Sequence, residues 1–156
     1  MNLLRDVRPR HSRRSVLSFL GRAFALSTPS AAAIAAVPLP AVRVVYHLDD
    51  VSNAIATVRM LQNHVKADSS VQIVVVALGG GVDFLLAGGK DSRGNPYEPM
   101  VDDLSAAGVA FRACGNTLTF RDIPASAVHP EATIIESGAA EISRLQFREG
   151  YAYYKP

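Results

Sequence analysis

Residues 71–78 read Val-Gln-Ile-Val-Val-Val-Ala-Leu, a β-branched run with only one polar interruption. A strand with one wet face alternates apolar and polar residues, whereas a continuous run belongs to a strand covered on both faces. Such strands need a layer on each side, and parallel neighbours joined through helices supply it. The surrounding chain fits that demand. Val42 to His47 reads as an earlier strand, and Val51 to Lys66 as a helix with Ile55, Val58 and Leu61 at helical spacing, capped by Asp50 or Ser52. Gly79-Gly80-Gly81 ends the central run, and Val82 to Leu86 reads as a helical turn. Met100 to Ala107 forms the next helix before Gly108, Val109 to Ala113 a third strand, and Gly115 to Arg121 a short helix. Thr133 to Glu136 is a fourth strand, followed by a helix over Gly138 to Glu149 between a Ser137 cap and a Gly150 stop. Tyr151 to Tyr154 adds a terminal strand. The expected class is α/β: three layers, a mostly parallel sheet and helices on both faces, of flavodoxin-like architecture. Between these elements, Ala87 to Pro99 is dense in Gly, Pro and charge and reads as the longest irregular and most mobile stretch.

The core must hold this fold unaided, because the 156 residues contain one cysteine and no disulfide can close within the chain. A 49% hydrophobic composition is enough for one compact domain and excludes a disordered chain. The formal charge of +2 is unevenly placed: residues 1–36 carry six arginines against Asp6 alone, which leaves the body at −3. That body has no broad basic surface for a phosphate backbone, so no nucleic-acid partner is expected.

Residues 1–36 run from an arginine-rich start through a mildly apolar stretch, Val16 to Leu26, to the small residues of Ala31 to Ala36. This is the order of an export signal. Within it, Ser12-Arg13-Arg14-Ser15-Val16-Leu17 resembles the twin-arginine signal, an address read by a receptor rather than a membrane anchor. The resemblance implies cleavage near Ala35 or Ala36, a mature domain over 37–156 and a periplasmic location. An arginine-rich, acid-poor leader also fits an organellar transit peptide.

In parallel α/β sheets, ligands collect where strands end and helix N-termini point free N–H groups. The strand ends here carry His47, Gly79 to Gly81, Cys114 to Thr117, and Ser137-Gly138. Cys114, between a strand and a helix start with Arg112 and Arg121 nearby, has surroundings that favour a thiolate. It also fits a small buried hydrophobe without reactivity. His47, followed by Asp49 and Asp50, is a candidate to orient a thiol or anion, and with Cys114 it makes the pair a Cys-His hydrolase needs. The Gly79 to Gly81 turn lacks the third glycine of a dinucleotide fingerprint, where Phe84 stands, and lacks the Gly-Lys-Ser/Thr of a P-loop. One cysteine and scattered histidines give no metal-ligand spacing, so neither metal nor cofactor is expected.

Val44 to Asp49, the glycine turn, Leu104 to Leu118 (LSAAGVAFRACGNTL), Ser137-Gly138 and Gly150 to Pro156 together resemble the DsrE/DsrF-like superfamily of sulfur-relay proteins. The resemblance implies a layered α/β subunit in a homotrimer, homohexamer or mixed hexamer. It also implies a persulfide-carrying cysteine after the third strand, at Cys114, exchanging sulfur with donor and acceptor proteins. In that role the Gly115 and Asn116 amides would stabilise negative sulfur, with Arg112 assisting and His47, Gly79, Gly80, Gly81 and Ser137 lining the site. A binding or assembly module with an inert Cys114 is the alternative on the same scaffold.

Overall fold

The computed structural model describes residues 41–156; the expected leader lies outside them. The described chain runs β1 (Arg43–Leu48), α1 (Ala54–Ala67), β2 (Gln72–Ala77), α2 (Glu98–Ala106), β3 (Ala110–Cys114), α3 (Gly115–Phe120), β4 (Ala132–Ile135), α4 (Gly138–Glu149) and β5 (Ala152–Tyr154). The strands form one sheet in the order β4-β3-β2-β1-β5, and every neighbouring pair is parallel. The expected α/β class is therefore the observed one.

The order follows from chain direction. Each step from β1 to β4 moves one place the same way, and right-handed crossovers put α1, α2 and α3 on one face. The larger core lies there, with Tyr46, Leu48, Val75 and Phe111 of the sheet against Leu61 of α1, Leu104 of α2 and Leu118 of α3. The step from β4 to β5 runs back past β1, so α4 crosses the opposite face. On that face Val45, Val74 and Val76 are buried under Ile142 and Leu145 of α4, with Leu78, Ile135 and Tyr151 packed against them. Residues 73–77 are buried throughout, as the unbroken β-branched run requires of a central strand.

Local signals place the element ends. Asp50 accepts from the Ser52 N–H at 2.8 Å and opens the 3-10 turn that leads into α1. Ser137 caps α4, and Gly150, at φ 70°, closes it in the left-handed conformation that favours glycine. After β2 the chain makes a 3-10 turn over Gly79–Leu85. At Gly81 this turn passes so close to β1 that an added Cβ would lie 2.1 Å from the Leu48 carbonyl oxygen. The requirement there is close backbone packing.

The expected irregular stretch from Ala87 has a framework of its own. Asp91 accepts from the amides of Arg93 and Asn95, bridges pair Leu86 with Val128 and Lys90 with Pro96, and Tyr97 is buried against Phe84. α2 also begins at Glu98, inside the stretch read as loop, because Pro99 suits the first turn of a helix.

With α4 the sole helical cover of one face among the described residues, truncating its buried leucine should cost far more than truncating its exposed aromatic. Leu145→Ala is expected to lower unfolding free energy by about 2–5 kcal/mol. Phe147→Ala, on a side chain 92% exposed in the single subunit, should change the unfolding free energy of that subunit by no more than about 0.5 kcal/mol. Urea denaturation of the two variants checks the contrast.

Candidate functional site

Adjacent strands whose following helices leave on opposite faces open a crevice at their carboxyl ends. Here β3 leads into α3 on the larger-core side and β4 into α4 on the other, so the crevice falls between the ends of these two strands. Cys114, the last residue of β3, pairs in register with Ile135, the last residue of β4. It lies inside the strand, one residue later than the pattern of apolar residues indicates, and is 6% exposed.

The N–H that reaches the sulfur comes from the helix across the crevice. Gly138, the first residue of α4, donates to Cys114 Sγ at 3.3 Å. Any side chain at 138 would obstruct this approach, since a Cβ would sit 2.9 Å from Leu78 Cδ2 and 3.3 Å from Cys114 Cβ. The sequence points instead to the amides of Gly115 and Asn116. In the structure the Asn116 N–H is taken by the Glu136 carbonyl at 3.0 Å, a bond that ties α3 to the end of β4. Ser137 acts one step back, its Oγ accepting from Ala140 N–H at the head of α4.

Thr117 completes the surroundings. Its hydroxyl accepts from Gly79 N–H at 3.1 Å and lies one helical turn beyond Cys114. Burial pushes the Cys114 thiol up, but the donors near the sulfur, the Thr117 side chain and the Gly138 amide first among them, outweigh it and hold the thiol below its ordinary value of 9.0. Beside this group an open groove of about 570 Å³ is lined by Gly79, Gly80, Asn116, Thr117, Phe120 and Arg121.

The structure thus brings Cys114, Gly115, Asn116, Ser137 and the Gly79 end of the glycine turn to one crevice. Gly81 is buried against β1 and faces away from it. Arg112 shares the Cys114 side of β3, but Glu141 of α4 pairs with its guanidinium, and Asp83 pairs with Arg121 at 2.7 Å. Neither arginine offers an uncompensated charge to the sulfur. His47 is not brought to the crevice. It stands on β1, with β2 between it and β3, roughly 10 Å across the sheet. There Tyr153 of β5 hydrogen-bonds its Nδ1 at 2.7 Å, and burial pushes its pKa down. That separation removes the Cys-His hydrolase arrangement.

The reading of the sequence gave no role to the Gly138 amide or to Thr117. The signal for Thr117 is its place three residues after a helix-capping position, the spacing at which N-terminal side chains meet. For Gly138 it is a glycine at the first position of a helix that follows a strand. Among the described residues no group of His, Cys, Asp and Glu could hold a metal ion.

These features define a class: a parallel α/β protein with its only cysteine held by helix-terminal donors at the switch point of the sheet. A model of the DsrE/DsrF-like family matches residues 19–155, and the chain belongs to that family. MTH1491 of Methanobacterium thermoautotrophicum, a protein of unknown function, is 33% identical and superposes with a TM-score of 0.64 over 74% of this chain and 99% of that one. The ychN protein from E. coli, 14% identical with a TM-score of 0.60 over 76% of this chain and 100% of its own, shares the fold. No curated protein matches.

The lowered thiol value has a consequence for stability. A group whose folded pKa lies below its unfolded one binds fewer protons in the folded state between the two values, so stability rises with pH across that interval. The Cys114 contribution should be absent below the folded value, grow as pH climbs toward 9.0 and be complete above it. Unfolding free energies measured across this range should rise more steeply for the wild type than for Cys114→Ala.

Proposed function

We propose that the protein carries sulfane sulfur as a persulfide on Cys114. The Gly138 N–H aimed at Sγ is the observation that supports this most, because it offers a negative sulfur a fixed dipole inside a water-poor crevice. Family membership supports a sulfur-relay role at the coarser level.

In the first step the Cys114 thiolate attacks the outer sulfur of a donor persulfide, R–S–SH. The donor S–S bond breaks, R–S⁻ leaves and takes up a proton, and Cys114 holds –S–SH. In the second step an acceptor thiolate attacks that outer sulfur and the Cys114 thiolate is regenerated. No net oxidation occurs in either step. With no second cysteine in the chain, the acceptor must be another molecule or another subunit.

Incubation with polysulfide followed by intact-mass measurement tests the reading. The wild type should gain one sulfur and Cys114→Ala none; no gain on the wild type, or equal gain on both, sinks it. The 6% exposure of Cys114 favours the inert-module alternative, and alkylation separates the two. Rapid labelling of the native protein at neutral pH supports the carrier, and labelling only after denaturation supports the module.

Two further parts of the proposal concern the setting. The order of residues 1–36 supports export by the twin-arginine route to the periplasm, with organellar import as the alternative. Replacing Arg13 and Arg14 together by lysine should then leave precursor inside the cell. Assembly into a homotrimer or homohexamer is supported by exposed Phe147 beside Arg144 and Arg148 on α4, and by half-exposed Tyr153 and Tyr154 on an edge strand. Light scattering on the mature form should give a multiple of about 13 kDa, taking roughly 110 Da for each of about 120 residues.

A further inference from the structure

A second cleft, of about 320 Å³, shares no lining residue with the groove beside Cys114 and lies between the start of α1 and the loop that precedes α2. Val51, Ser52 and Ile55 form one wall, Lys90, Asp91 and Ser92 the other, and Tyr97 joins them. Tyr97 belongs to the core. It is 4% exposed, its ring meets Phe84 edge-on at 5.2 Å, and Gly89 packs so near that a Cβ there would lie 3.2 Å from Tyr97 Cδ2. With the ring enclosed, the hydroxyl is the part of Tyr97 left to the cleft. That hydroxyl has no hydrogen-bond partner among the described residues, whereas those of Tyr46, Tyr153 and Tyr154 bond to His64, His47 and Met60. A buried tyrosine hydroxyl ordinarily has a partner, so this one has a proton to give.

The other groups in the cleft indicate what would accept it. Half-buried Lys90 has no ion pair among the described residues, and Ser52 and Ser92 bring hydroxyls. The acid in the lining, Asp91, is engaged by its own loop: its carboxylate accepts from the amides of Arg93 and Asn95 at 2.8 Å and from Asn95 Nδ2 at 2.9 Å. Burial, and then the carboxylates of Asp91 and Asp83, push the Tyr97 pKa above its ordinary value of 10.0, so the hydroxyl stays a donor at neutral pH. Val51 and Ile55, both packed on the larger core, add apolar surface. Convergent donors beside an apolar wall are the features of a small-molecule site.

We infer that this cleft binds a small organic carboxylate with an apolar body: the Tyr97 hydroxyl and the Lys90 ammonium take the carboxylate, and Val51 and Ile55 take the body. The site is separate from the sulfur crevice and stands without the proposed carrier. An ionised carboxylate has oxygens enough for both donors, and hydrogen bonds to a charged group are the stronger kind. The apolar wall favours such a ligand over an inorganic anion, which has no surface to bury there.

The test titrates hexanoate into the isotope-labelled full chain and follows backbone amide shifts. Saturable shifts are expected at residues 51–55 and 90–97. Tyr97→Phe, which keeps the ring and removes only the hydroxyl, and Lys90→Met should each weaken hexanoate binding roughly tenfold. Hexanol, which lacks the charge, and acetate, which lacks the body, should bind more weakly than hexanoate by at least about the same factor. Cys114→Ala should bind hexanoate as the wild type does. If circular dichroism shows that Tyr97→Phe does not fold, Lys90→Met carries the comparison. Absence of saturable shifts at these residues, shifts confined to the groove at Phe120, or undiminished binding by the folded variants overturns the inference and leaves the hydroxyl to water. Acetate or hexanol binding as tightly as hexanoate overturns the ligand class.

Discussion

The return of the chain from β4 to β5 is the constraint on which the molecule depends. Four strands laid down in one direction leave one sheet face bare, and among the described residues the crossover that reverses direction covers it. That crossover is α4. Its buried Ile142 and Leu145 cover Val45, Val74 and Val76, and its first residue delivers an N–H to Cys114. Cover and site are two ends of one helix, so the position of the sulfur donor is fixed by the packing of Leu145 two turns further on.

A buried thiolate is costly because water is lost, and the protein meets that cost with oriented N–H and O–H groups. Arginines are near enough to have served, yet Arg112 is bound by Glu141 and Arg121 by Asp83 and the Gly79 carbonyl. An unpaired guanidinium at that depth would itself carry a desolvation penalty, whereas backbone amides at a helix start have no intrahelical partner. Dipoles have a second consequence. In the proposed carrier they would stabilise negative sulfur without forming a tight charge pair that would have to break when the sulfur leaves.

Much of the fold is legible in the sequence because its signals are local. The β-branched run gives β2, Ser137 and Gly150 bracket α4, and the lone cysteine marks a strand end. The details of the site are not local. Gly138 lies 24 residues from Cys114 and Thr117 lies 38 from Gly79, and no spacing encodes either meeting. His47 illustrates the same limit: at a strand end it looks equivalent to Cys114, and only the order β3-β2-β1 shows a whole strand between them. Arg112 appears free to assist a thiol until the crossover brings Glu141 onto it.

The two edges of the sheet then divide the work. At the β5 edge the C-terminal strand is fastened to β1 through Tyr153 on His47, Tyr154 packed at a tilt against Tyr46, and Lys155 paired with Asp49 at 2.5 Å. Several of these contacts are side-chain bonds between groups with apolar bodies, which suits an end of the chain that must close rather than react. Near the β4 edge the contacts are backbone bonds and glycine approaches: Asn116 on Glu136, Gly138 on Cys114, and Gly115 against the Ile135 carbonyl. Glycine and main-chain contacts bring helix ends closer to a sulfur than side chains allow, and they fix a donor without adding a competing nucleophile. The histidine is thus spent on closing one edge, and the cysteine at the other is left among donors that can hold its charge without reacting with it.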